Sequence, residues 1–414
     1  RREKLISKKG FKRLTKYPMM EFQMQESFKA SEEKQHQLIR FFQRVNLALP
    51  FEGNSMKIFQ DGSSMLQALL ATINSAKHHI HVEFYIFEDD AVGRLVKDSL
   101  IDKARKGVEI RVLYDDVGCW KVPHRFYDEM REAGIEVHGF LKVRFPRFTS
   151  KVNYRNHRKL VVVDGRIGFI GGMNLAERYL KGVPWGIWKD IMMQVEGKAV
   201  YGLQMAFLTD WYATDHSLIT SSSYFPQMED KGTSLMQVVT SDPVGEWKDI
   251  MQGLLIAITS AQKYVYIQSP YLLPTEPILL ALKTAAAAGV DVRIMIPEKS
   301  DSRMVHWGTM SYLQELMEAG IKIYMYQKGF LHSKLIVCDD CLSSVGSTNM
   351  DFRSFEHNFE INAFMYDKTS ALMLKDIFLS DQKDAKLLHL KEWRMRPWSQ
   401  KVKESVIRLF APLL

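Results

Sequence analysis

The chain contains the same unit twice. Residues 73–85 read "INSAKHHIHVEFY" and residues 258–271 read "ITSAQKYVYIQSPY", in step at an offset of 185. Further on, "KGVEIRVLYD" (106–115) returns as "AGVDVRIMIP" (288–297), and "EAGIEV" (132–137) as "EAGIKI" (318–323). A repeat of this length must fold as two like units. Within each copy a β-rich apolar run is followed by a helix-like stretch ending at glycine, as in "LIDKARKG" and "LKTAAAAG". That alternation predicts an α/β fold of two tandem lobes, each a mixed sheet flanked by helices, related by a pseudo-two-fold axis. A length of 414 residues suits two ordinary domains, each large enough to bury its own core. The expected division is a basic, membrane-proximal segment over 1–50, a first domain over 51–225 and a second over 226–414. The join falls in the polar stretch "TSSSYFPQMEDKGTS" (220–234).

Charge matters here through its placement. The chain carries a net +8, and its first sixteen residues, "RREKLISKKGFKRLTK", hold eight Lys and Arg against one Glu. Such a leader suits an anionic surface, although a plain solvated tail has the same composition. No apolar run is long enough to span a bilayer. A second basic stretch, "LKVRFPRFTSKVNYRNHRK" (141–159), mixes seven Lys and Arg with Phe145, Phe148 and Tyr154 and contains no acid. That mixture fits docking at a lipid interface, and it also fits single-stranded nucleic acid. The three cysteines, Cys119, Cys338 and Cys341, make no disulfide framework. Cys338 and Cys341 form a C-x-x-C with no second pair to complete a zinc site, so core packing is their expected use.

The repeat also carries ionisable groups where a buried strand should avoid them. "NHRKLVVVDGRIGFIGGMN" in the first half matches "LHSKLIVCDDCLSSVGSTN" in the second, and both read H-x-K-x4-D-x6-G-[GS]-x-N. His157, Lys159, Asp164 and Asn174 therefore correspond to His332, Lys334, Asp339 and Asn349, all at an offset of 175. Alternate residues of a strand share a face, so each His stands beside its Lys. Two such cations repel and depress each other's pKa, but around an anion they are complementary: the Lys neutralises phosphate oxygens and the His acts as nucleophile or proton carrier. Gly172 and Ser347, with Gly171 and Gly346, are small enough for backbone to approach a ligand, and Asn174 and Asn349 offer neutral donors to phosphate. Asp164 and Asp339 lie on the opposite parity to their histidines and are expected to support the catalytic set. A single copy could be a core histidine. Two copies with identical spacing predict one shared site where two histidines work on a phosphodiester, one forming a phosphohistidine and the other moving the proton. No carboxylate cluster has metal-ligand spacing, so neither a metal nor another cofactor is expected.

The doubled H-x-K-x4-D resembles the signature of the phospholipase D superfamily, from about residue 50 to the end. Within it, "HVEFYIFEDDAVG", "NYRNHRK", "GGMNLAERYL", "WKD", "SPYLLP", "NMDFRSFEHNFE" and "RLFAPLL" resemble the bacterial cardiolipin synthases. The resemblance implies two phospholipase D-like lobes with the active site between them. It implies transfer of a phosphatidyl group between two phosphatidylglycerol molecules, releasing glycerol, with His157 as nucleophile and His332 as acid and base. Asp190 of "WKD" and Glu360 of "NFE" take the places of carboxylates that orient the histidines, and cross-pairing is expected, Glu360 with His157 and Asp190 with His332. The implied partners are phosphatidylglycerol and a membrane surface, not nucleic acid, at the cytoplasmic face of a bacterial inner membrane. The competing readings are other phospholipase D-type phosphodiesterases: a phospholipid hydrolase, a phosphatidylserine synthase or a nuclease. Three features depart from the family pattern. The usual pair of membrane-spanning helices is absent, so a shortened or processed form is expected; Lys189 stands where Arg is commoner, and Ser333 where Ala or Thr is frequent. Oligomeric state stays open, because the duplication already supplies both motifs.

Overall fold

A computed structural model of the chain describes residues 8–24, 33–141 and 153–411. Most of the aromatic-basic stretch 141–159 and the first seven residues of the leader lie outside the described residues. The first half contributes strands β1 (Phe51–Phe59), β2 (His79–Phe84), β3 (Glu109–Asp115), β4 (Glu136–Phe140), β5 (Lys159–Val163), β6 (Ile167–Gly171) and β7 (Met192–Glu196). The second contributes β8 (Ser234–Ser241), β9 (Tyr264–Gln268), β10 (Asp291–Pro297), β11 (Lys322–Tyr326), β12 (Leu335–Cys338), β13 (Leu342–Gly346) and β14 (Asn358–Met365), with β15 (Ala385–Leu387) at one edge. All lie in one mixed sheet, in the order β15-β11-β10-β9-β12-β13-β14-β8-β1-β7-β6-β5-β2-β3-β4. Leaving out β15, the order is a palindrome centred between β8 and β1, which pair antiparallel. An antiparallel pair carries a local two-fold axis, so this pairing places the two halves about the pseudo-symmetry the repeat predicts.

Both faces of the sheet are covered, which explains strands with no exposed residue. Along β2 every residue is buried. Ile80, Val82 and Phe84 enter the core of the first half on one face. On the other, His79 and His81 share the Gln204 side chain of helix Val200–Asp215, at 3.1 and 2.7 Å. That second face is continuous across the molecule: Leu203 and Phe207 of this helix and Leu374 and Phe378 of helix Lys368–Gln382 belong to one cluster. The opposite face has a separate cluster in each half. Cys119 and Cys338 are buried in those two clusters, consistent with packing.

The segment before residue 50, expected as a basic, membrane-proximal leader, includes an element packed against the second half. Helix Glu33–Val45 buries Leu38, Ile39 and Phe42 in the core of the second half. The Phe42 ring lies 4.7 Å from that of Phe364 and fills the space that a Cβ on Gly253 would occupy. Asn46 donates to the Thr240 carbonyl at 2.6 Å, and Gln237 to that of Ala48 at 2.9 Å. Leu38, Ile39 and Phe42 form an apolar stripe on a mostly polar helix, and that stripe is the face the core buries. Phe42→Ala should lower the unfolding free energy by about 3–5 kcal/mol, read as a lower urea midpoint. A loss below about 1 kcal/mol, the scale of a surface change, would show that the helix is peripheral.

Candidate active site

Two short strand exchanges at the boundary between the halves build the site. Residues Arg155–Asn156 leave the first half and pair in parallel with Asn358 and Phe359 at the start of β14. Reciprocally, Gly329–Leu331 of the second half pairs in parallel with Ile187–Lys189 of the first. The registers continue one residue further. The His157 amide donates to the Phe359 carbonyl at 2.9 Å and the His332 amide to the Lys189 carbonyl at 2.7 Å. Each histidine thereby stands opposite the carboxylate that follows its partner strand. His157 Nδ1 lies 2.9 Å from Glu360 Oε1 and 3.1 Å from Oε2, and His332 Nδ1 lies 2.5 Å from Asp190 Oδ2. An ionised carboxylate accepts the Nδ1 proton, which leaves the lone pair on Nε2. Both rings line one cavity of about 350 Å³.

The motif lysines are buried behind the histidines. Lys159 Nζ donates to the His157 carbonyl at 2.6 Å; Lys334 Nζ donates to that of His332 and lies 3.7 Å from Asp190. Burial dominates the electrostatics. It holds both histidines neutral, with pKa values lowered to about 4 despite the carboxylates beside them. The same desolvation brings Lys334 down to about 8 and Lys159 well below its ordinary range. Desolvation opposes ionisation of Glu360, but His157, Lys159 and Ser347 together outweigh it and hold the carboxyl below its ordinary range. An arriving phosphate would reverse the trend, because an anion among these groups favours their protonated forms.

Several motif residues take places other than the ones their spacing suggests. Gly172 and Ser347 do not open the backbone to a ligand. A Cβ on Gly172 would come 2.2 Å from Asp190 Oδ1, and the Ser347 hydroxyl donates to Glu360 Oε2. Small size at this position makes room for the orienting carboxylate. Gly171 and Gly346 likewise lie against the neighbouring strand, at Ile191 and at Ile361 and Asn362. Asp164 and Asp339 stand at the far end of β5 and β12, away from the cavity. Both have φ of 53°, and each gathers three backbone N–H groups: Lys77, His78 and His79 for Asp164, and Gln262, Lys263 and Tyr264 for Asp339. They fasten the start of β2 and of β9 to the neighbouring hairpin, a framework role removed from the reacting atoms. Asn174 and Asn349 do line the cavity. Asn174 is committed, donating to the Tyr179 hydroxyl and accepting from the Ile86 N–H, whereas Asn349 Oδ1 is buried with no partner among the described residues.

The cavity wall also holds residues that motif reading passed over. Tyr85 and Tyr271, just beyond β2 and β9, face His157 and His332 with ring centroids 5.0 and 6.5 Å apart. Arg178 and Arg353 each follow a motif asparagine by four residues, so the repeat extends to N-x3-R, a signal present in both copies. Arg155, Asp301 and Asp351 complete the charged lining. Of the family departures, Lys189 bridges the halves through Asp381 at 2.5 Å, and Ser333 donates to Gln268 at 2.7 Å. Among the described residues no three His, Cys, Asp or Glu side chains converge to hold a metal ion.

A doubled sheet whose paired H-x-K motifs meet across its centre defines the phospholipase D class. The family described as "Cardiolipin synthase, PLD-like domain" matches residues 69–211 and 254–382, and the chain belongs to it. A cardiolipin synthase of Geobacillus sp. is 40% identical over 421 residues, covering 100% of this chain and 84% of that protein. The major cardiolipin synthase of Bacillus subtilis is 42% identical over 372 residues, covering 89% and 77%. Among solved structures, phosphatidylserine synthase of Haemophilus influenzae shares the fold, with a TM-score of 0.68 at 16% identity over 91% of this chain and 100% of that one.

Stability should fall with acid. Both histidines are ordinarily at 6.5 but about 4 when folded, so between these values the unfolded chain binds the protons and the folded chain does not. Each histidine then costs up to about 1.4 kcal/mol per pH unit on acidification. Urea titrations from pH 7 to 4 should show this slope diminished in His157→Gln and His332→Gln; an unchanged slope would mean that the rings are charged in the folded protein.

Proposed function

We propose that this chain forms cardiolipin by moving a phosphatidyl group from one phosphatidylglycerol to a hydroxyl of another, with release of glycerol. The observation that carries the reading is the crossing of the two His–carboxylate pairs, which brings two imidazoles into one cavity. Once the entering phosphodiester has favoured a proton on His332 Nε2, His157 Nε2 attacks phosphorus, the bond from phosphorus to the glycerol oxygen breaks, and His332 gives that oxygen the proton. Neutral His332 then takes the proton of the incoming hydroxyl, whose oxygen attacks phosphorus as the His157–phosphorus bond breaks. The close Asp190 contact at 2.5 Å supports His332 as the ring that carries the proton, since the carboxylate favours imidazolium. Glu360 offsets the charge on His157 in the same way. Lys159 and Lys334 neutralise the non-bridging oxygens.

A lipid leaflet is the partner this reading requires. Among the described residues no helix is long and apolar enough to cross a membrane. Helix Trp398–Arg408 and the residues after it nevertheless show water an apolar stripe: Trp398 (78% exposed), Val402, Val406, Leu409 (79%) and Phe410. The stripe supports docking on a surface, while Ala411 at its end is buried in the core of the second half. The helix packs on Arg303–Glu318, whose Val305 lines the cavity. The expected location is the cytoplasmic face of a bacterial inner membrane.

Purified protein with phosphatidylglycerol vesicles should yield cardiolipin and glycerol by mass spectrometry, with both lost in His157→Ala and His332→Ala. Glu360→Gln should reduce the rate about a hundredfold or more with the thermal melt intact. Phosphatidic acid as the product would replace this reading with hydrolysis. Trp398→Glu combined with Leu409→Glu should cut sedimentation with anionic vesicles; undiminished sedimentation would remove the stripe from docking.

A further inference from the structure

The two repeats give the cavity one arginine each, at equivalent positions, but the environments of the two have diverged. Arg178 is neutralised. It pairs with Glu88, and its guanidinium lies 5.4 Å from the ring centre of Trp188. Arg353 has no carboxylate within ion-pair distance among the described residues; instead it shares its side of the cavity with a second cation, Arg155, which is 5% exposed. Among the described residues Arg155 has no ion pair of its own, and it donates to the Tyr154 carbonyl at 2.6 Å. The carboxylate that acts on it most strongly, Asp115, already accepts backbone N–H groups from Val117, Gly118 and Asn156. The two cavity carboxylates are also occupied: Asp301 accepts from the Tyr271 hydroxyl at 2.9 and 3.0 Å, and Asp351 from the Ser354 N–H at 2.7 Å. Residues 142–152, which precede Arg155 and lie outside the described residues, include no Asp or Glu.

Two cations on one wall, neither of them in an ion pair among the described residues, repel each other and favour an anion between them. The same wall supplies the complement of a polyol. Asn358 Oδ1 and Asn349 Oδ1 are buried acceptors without a partner among the described residues. The orientation of Asn358 follows from its neighbour, because its Nδ2 donates to Glu360 at 3.1 Å and the carbonyl end must therefore be the one left over. Buried unpartnered acceptors are uncommon and call for a donor such as a hydroxyl. Both guanidiniums are close enough to act on the Tyr85 phenol, and the Tyr85 ring stands against His157. The cationic patch is therefore beside one histidine of the pair, on a single side of a cavity that is otherwise built by symmetry.

We propose that Arg155 and Arg353, with the amide oxygens of Asn349 and Asn358, form a subsite for the headgroup of the second, accepting phospholipid: its phosphodiester on the guanidiniums and its glycerol hydroxyls on the amides. The inference rests on the phosphatidyl transfer proposed above and adds a separate seat for the second phosphate. Lys159 and Lys334 serve the phosphorus under attack, and the arginines recognise an acceptor that itself carries a phosphate. An anionic acceptor is thereby favoured over water or a neutral alcohol, neither of which offers a charge to Arg155 and Arg353.

The test separates acceptor from donor. Phosphatidylglycerol vesicles are supplied with deuterated glycerol, and mass spectrometry follows two products together: cardiolipin, in which a lipid is the acceptor, and deuterated phosphatidylglycerol, in which free glycerol is. Arg353→Gln and Arg155→Gln should lower cardiolipin about tenfold or more, the scale of one lost charge-assisted contact, while glycerol exchange stays within about twofold, the spread of context effects on such contacts. Arg353→Lys should recover part of the cardiolipin, and thermal melts of all variants should match. Equal loss of both products would overturn the subsite, because the arginines would then serve the donor or the fold. Full cardiolipin formation in the double Gln variant would overturn it as well. Absence of both products in the unmodified protein would overturn the transfer reading, and the subsite with it, before any variant is compared.

Discussion

The structure depends on the register of two parallel strand pairs, each only two or three residues long, that cross between the halves. Asn358 and Phe359 pair with Arg155 and Asn156, and Ile187–Lys189 with Gly329–Leu331. Parallel pairing advances both strands together, so the residue after each pair falls beside its counterpart. Those residues are His157 with Glu360 and His332 with Asp190. A slip of one residue would turn each side chain to the opposite face and leave two buried carboxylates without partners, at a cost of several kcal/mol for each. Register and catalytic geometry are thus the same constraint. Neither half could form a site alone, because each provides the ring that the other's carboxylate orients.

Burial then sets the chemical state. Desolvation keeps both imidazoles neutral and weakens both ammonium groups, while the carboxylate of Glu360 stays ionised. The centre gains its positive charge only when a phosphodiester enters, because the anion favours the protonated forms of these groups. Around this symmetric centre the walls have diverged, with Arg178 closed by Glu88 and Arg353 left open beside Arg155. A duplicated enzyme that joins two like molecules has a reason to break its own symmetry, since donor and acceptor need different contacts although they are the same compound.

Much of this was legible in the chain because duplication prints each signal twice. The alternation of apolar runs and glycine-ended helices marked an α/β unit, and the offset of 175 picked His157, Lys159, His332 and Lys334 out of an otherwise ordinary set of ionisable residues. The same regularity misled where a conserved spacing served the framework. Asp164 and Asp339 repeat as strictly as the histidines, yet they hold a positive-φ turn and three amides each. Gly172 and Ser347 looked like openings for a ligand and proved to be room and a donor for the orienting carboxylates. The helix Glu33–Val45 was hidden for another reason: its burial depends on Phe364 and Gly253, which are far along the chain.

By itself the sequence determined the repeated unit, the ionisable groups that stand out within it and the pairing of each His with its own Lys, since strand periodicity acts over two residues. The cross-pairing of carboxylates and histidines was implied only by the family resemblance, and strand periodicity could not give it; the tertiary structure brings together partners 203 and 142 positions apart through strand pairing between the halves. It also decided that Arg178 is neutralised and Arg353 is not. Charge compensation depends on distance in space, and local sequence around the two arginines carries no measure of that distance.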